Sequence, residues 1–174
     1  MEKVFKNFKT TLIILYFCLL ASRVALYLYM PTMYPDGISN APFDSGNMIV
    51  MVILGIVIFN AALCFYLYKI GYQKEFLTKQ GGFLFGARNS HLSPLTDGRM
   101  TDSDKLKWIA LNKFQIVSVT SWALSESIFV FGLISPNLGA NTGTVQAVMI
   151  FSTIIGCLQY PRLARVEEIL DSIS

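Results

Sequence analysis

Four long apolar runs, at residues 10–30, 48–68, 114–135 and 144–160, leave this chain few ways to fold. Each is close to the ~20 residues a helix needs to cross a hydrocarbon layer of ~30 Å at 1.5 Å per residue. No water satisfies open backbone inside such a layer, so the runs predict helices and exclude an open sheet. Composition points the same way. Of the 174 residues 53% are hydrophobic and 14% charged, against about 25% charged in an ordinary soluble domain, and the mean hydropathy is +0.52. The expectation is an all-α integral membrane protein with four transmembrane helices arranged as two hairpins.

The basic residues suggest an orientation. Lys3, Lys6 and Lys9 precede the first run, eight Lys and Arg residues from Lys69 to Lys113 lie between the second and third, and Arg162 and Arg165 follow the fourth. The stretches 31–47 and 136–143 contain none. Loops rich in Lys and Arg stay on the cytoplasmic side, so both termini are expected there, a bias that fits a bacterial inner membrane. The first run could pass for a secretory signal, but it is too long and no clean cleavage site follows, which favours a retained anchor.

The chain divides into a first hairpin (1–69), a cytoplasmic connector (70–113), a second hairpin (114–160) and a short C-terminal segment (161–174). Residues 72–79 are expected to prolong the second span. Thr101, Asp102, Ser103 and Asp104 are N-cap candidates for a helix running through Trp108 into the third. Between them the connector is rich in turn formers. In the last segment Leu163, Val166, Ile169, Leu170 and Ile173 repeat at helical spacing, the pattern of an amphipathic helix lying on the membrane or against a partner.

Several chemistries find no support. The Gly-Gly-Phe-Leu-Phe-Gly-Ala-Arg stretch beginning at Gly81 lacks the Lys-Ser/Thr end of a phosphate loop and any preceding strand. His91 has no ligand companions. Cys18, Cys64 and Cys157 all fall inside apolar runs, where neither a disulfide framework nor metal spacing is evident. No nucleophile–base pair stands out, so no enzyme activity, cofactor, metal or nucleic-acid partner is expected. The expected partners are membrane lipids and other membrane subunits or further copies of the chain.

Two ionisable residues interrupt the apolar runs. Glu126 sits near the middle of the third and Arg23 inside the first, a depth at which a charge is rare and is by default a functional hypothesis. Both lie about 13 residues in from the basic boundary, roughly 20 Å along a helix. They therefore either pair at matched depth or leave Arg23 to snorkel outward. Beside Glu126 run Ser118, Ser121, Ser125 and Gly132, small residues at a spacing that lets a neighbouring helix approach. Asn60 and Gln146 are further polar groups in the second and fourth runs.

The stretch Ala123-Leu124-Ser125-Glu126-Ser127-Ile128-Phe129-Val130-Phe131-Gly132-Leu133-Ile134 resembles the ion-binding helix of the rotary ATPase proteolipid, or c subunit. The resemblance is confined to these residues. It implies a carboxylate at Glu126 that binds H+ or Na+, with the hydroxyl of Ser127 helping; an ion-coupled role would also draw on Ser125. Two functions follow as expectations. One is a structural or accessory subunit of a larger membrane complex, with Glu126 and Arg23 fixing helix packing. The alternative is an ion-coupled, proteolipid-like subunit with Glu126 as the ion-binding group.

Overall fold

A computed structural model of the chain describes residues 2–39, 47–78 and 101–173. Among them the regular structure is entirely helical: α1 (Glu2–Met33), α2 (Met48–Ile70), α3 (Lys74–Thr78), α4 (Asp102–Ile134), a 3-10 turn (Ser135–Leu138), α5 (Thr142–Leu158) and α6 (Leu163–Asp171). The Gly-rich stretch and His91 lie outside the described residues. Four helical segments are long and apolar enough to cross a membrane, within Phe5–Met33, Val50–Ile70, Asp102–Leu138 and Thr142–Asp171.

α1 extends past both ends of its apolar run. Pro31 falls in its last turn, where a fixed φ near −65° still suits a helix and only one backbone bond is forgone. α4 begins where the sequence offered caps, with Thr101 Oγ1 accepting from the Asp104 backbone N–H at 3.1 Å. It is the hub of the fold, packing against α1, α2, α3 and α5. Gly139, at φ +89°, turns the chain in the left-handed conformation that glycine adopts without penalty. α5 then starts under an Asn141 cap.

Two expectations change near the end of the bundle that holds the start of α1. The described part of the segment expected to prolong α2, residues 72–78, does not do so. Instead the chain turns at Gly71, where a Cβ would stand 3.0 Å from Val117 Cγ1 of α4, and α3 folds back to bury Leu77. Lys113 Nζ then donates to the Phe76 carbonyl at 3.1 Å. α6 likewise meets this chain's own surface. Its apolar face joins Leu12 of α1, Leu77 of α3 and Leu111 and Phe114 of α4 in one buried cluster, covering apolar side chains that these helices project.

The Tyr72 phenol fastens this cap by accepting the Arg162 backbone N–H at 2.8 Å. Burial pushes its pKa up from the ordinary 10.0. A pKa raised in the fold favours the neutral phenol there, so its contribution is complete below about pH 10 and is lost as pH climbs above it. Tyr72→Phe is expected to cost ~1 kcal/mol at neutral pH. It should also flatten the fall in stability between pH 10 and 12, measured by denaturant titration in detergent.

Candidate functional site: a polar seam along the central helix

Successive residues of a helix point about 100° apart, and α4 uses this to address each neighbour with a different polar side chain. Ser121, Ser125, Glu126 and Ser127 are consecutive stations on that seam. Their partners come from α1, α2, α5 and the residue after α5.

At the central level the structure brings Arg23 of α1 against Glu126, Nε donating to Oε1 at 2.7 Å. Nη1 donates to the Ser152 carbonyl of α5 at 2.6 Å, and Nη2 to Ser125 Oγ at 2.7 Å. Ser152 Oγ in turn donates to the Ser125 carbonyl at 2.7 Å, joining α4 to α5 directly. The Arg23 side chain is 5% exposed and that of Glu126 18%. Each nitrogen of the guanidinium thus has an acceptor, and the acceptors come from two helices. That is the condition under which a buried pair holds its geometry.

Gly156 makes room for this. A Cβ there would stand 2.8 Å from Arg23 Cζ and closer still to Nη1, so the guanidinium packs directly against bare backbone. Tyr16, two turns before Arg23, donates its hydroxyl to the Gly156 carbonyl at 3.1 Å and packs at a tilt against Trp122, ring centroids 5.7 Å apart. Tyr16, Trp122, Arg23, Glu126 and Gly156 line a cleft of about 10 Å³ with two leucines of α1. That is space for a single water.

One turn toward α6, Ser121 donates to the Cys64 carbonyl of α2 at 3.2 Å and accepts from Gln159 Nε2 at 2.8 Å. Trp122 Nε1 donates to the Gln159 carbonyl at 3.2 Å. All three cysteines are free thiols. Gly132 supplies close approach on the other side of the pair, since a Cβ there would meet Met149 Cγ of α5 at 2.9 Å.

Ser127 makes its hydrogen bonds away from the carboxylate. It accepts from Asn60 Nδ2 of α2 at 3.0 Å and donates to the Leu124 carbonyl at 2.7 Å. The resemblance had implied that it helps Glu126, but one residue along the helix is a rotation of about 100°, which carries it to a different neighbour. Ser118 is half-buried and makes no interhelical hydrogen bond among the described residues. Gln146 is exposed. Among helices in lipid, bonds such as Asn60–Ser127 average about 0.6 and reach about 1.7 kcal/mol, so Asn60→Leu is expected to destabilise within that range in an SDS titration.

Ser152 and Gly156 belong to the site and were not singled out from sequence. The signal was present as small residues four apart in the last apolar run, the same pattern that marks Ser121 and Ser125. No family model, curated protein or solved structure matches this chain. No group of three or more metal-ligating side chains occurs among the described residues.

Proposed function

We propose that the chain is a four-helix integral membrane protein with both termini cytoplasmic, and that it serves as a structural or accessory subunit of a larger membrane complex. The Arg23–Glu126 pair is its internal lock. The observation that carries this is the saturation of Arg23, whose three nitrogens meet Glu126, Ser125 and the Ser152 carbonyl. An ion carrier must change its charge during its cycle. Here protonating Glu126 would strand a guanidinium that does not deprotonate in proteins, in the middle of a bilayer.

The runner-up, an H+ or Na+ site at Glu126 in a proteolipid-like subunit, draws on one observation. Glu126 Oε2 receives no hydrogen bond from the described residues, and the small cleft touches that side chain. Carbodiimide treatment of native membranes at mildly acid pH separates the two. Under the lock reading Glu126 is not modified, and the joint replacement Arg23→Met with Glu126→Leu leaves the chain's own unfolding midpoint close to that of the native protein. Labelling of Glu126 that Na+ suppresses would overturn it.

A further inference from the structure

α4 is not covered all round. α1 meets it at Trp122 and Glu126, and α2 at Ser121 and Ser127. At about 100° per residue, Ile116, Val119, Ala123, Val130 and Ile134 all project between the directions of Glu126 and Ser127. Four of them are 37–44% exposed, and Ala123 is exposed too. They floor a groove between α1 and α2, and Glu126 stands on its edge. Its Oε2 accepts nothing from this chain's described residues, and in hydrocarbon an unsatisfied carboxylate oxygen is costly. Because Arg23 already balances the charge, the complementary group is a neutral donor.

The outward face of α1 offers one. Cys18, Ala21, Ser22 and Ala25 are all exposed, and residues this small allow two helices to approach closely. Ser22 adjoins Arg23, which touches Glu126, so Ser22 and Glu126 lie at one depth within a chain. Copies that share an orientation in one membrane keep that level. The Ser22 hydroxyl now donates to the Leu19 carbonyl at 2.7 Å, a local bond it can exchange for a charged acceptor, which binds a donor more strongly.

We infer that a second copy of this chain lays the small face of its α1 into the α1–α2 groove, its Ser22 hydroxyl donating to Glu126 Oε2 of the first. The contact is head-to-tail, since the surface given and the surface received differ. It rests on the proposed role as an assembly subunit and names the partner as the chain itself.

Cys18 lies about 6 Å below Ser22 and Ala123 about 4.5 Å below Glu126 at 1.5 Å per residue, so the two face each other at one level across the contact. Two tagged forms are co-expressed, both carrying Cys157→Ser. One carries Ala123→Cys with Cys18→Ser, and the other keeps Cys18 and Ala123. Oxidation in native membranes should give a mixed-tag disulfide dimer, which a control with Ile150→Cys in place of Ala123→Cys does not form. Adding Ala25→Leu to the Cys18 form should cut the dimer about tenfold, as a clash in a close helix interface does. It should not move that form's thermal midpoint, because Ala25 is exposed in its own chain.

Absence of the mixed dimer overturns the inference, as does a dimer indifferent to Ala25→Leu. If the dimer is absent but the chain still migrates in a native particle with other proteins, the assembly role stands and only the self-contact falls. If it is absent and the chain runs at its own mass, both fall.

Discussion

Glu126→Leu is expected to lower the stability of the fold by ~3–5 kcal/mol, the usual cost of leaving a buried charge without its partner. Arg23→Met should cost about the same from the other side of the pair. The two together should return to within ~1–2 kcal/mol of the native protein, because an apolar pair of similar volume replaces two desolvated ions and the Ser152 carbonyl keeps Ser125 Oγ as a donor at 3.4 Å. The Ser152 Oγ to Ser125 carbonyl bond survives all three changes and keeps α5 in register. Unfolding midpoints in a graded SDS titration give all four corners of the cycle. Simple addition of the single costs in the double variant would show that Arg23 and Glu126 act independently and would sink the idea of a lock.

The second large effect comes from a residue with no side chain. Gly156→Ala is expected to cost ~1–3 kcal/mol as overpacking, although alanine is the better helix former. A methyl group at that position would overlap the Arg23 guanidinium, so Arg23 must withdraw from Glu126, Ser125 or the Ser152 carbonyl. The decisive comparison is a background lacking the guanidinium. With Arg23→Ala and Glu126→Leu already in place, Gly156→Ala should become neutral or stabilising by ~0.5–1 kcal/mol, the ordinary gain from replacing a helical glycine. Persistence of the full cost there would mean that Gly156 serves the backbone packing of α5 and not the pair.

The four long helices were legible because hydropathy and length dominate everything else in such a chain, and α4 announced itself as central through Ser121, Ser125 and Gly132 on one side and Glu126 on another. Depth was legible as well. Counting from the basic boundaries brings Arg23 and Glu126 to one level, and they stand 2.7 Å apart. Azimuth was not. Nothing in the sequence says how α5 is rotated, so Ser152 and Gly156 remained two small residues among many. Ser127 was drawn to Glu126 by the local resemblance, whereas the helix carries adjacent residues to different neighbours. α6 was visible as amphipathic, but the surface it covers is assembled from α1, α3 and α4 and exists only once those have packed.

Arg23 and Glu126 are separated by 103 residues along the chain, and that separation sets a clock. At the usual 5–20 residues per second of synthesis, α1 emerges ~5–20 s before its counter-charge does, and the Ser152 carbonyl follows later still. On the membrane-spanning arrangement proposed above, the guanidinium needs other company during that interval: lipid phosphates reached by bending toward the surface, or the aqueous lining of the insertion machinery. The first helix would thus be made with a debt of polarity that α4 and α5 discharge, and the bundle is complete only when they arrive.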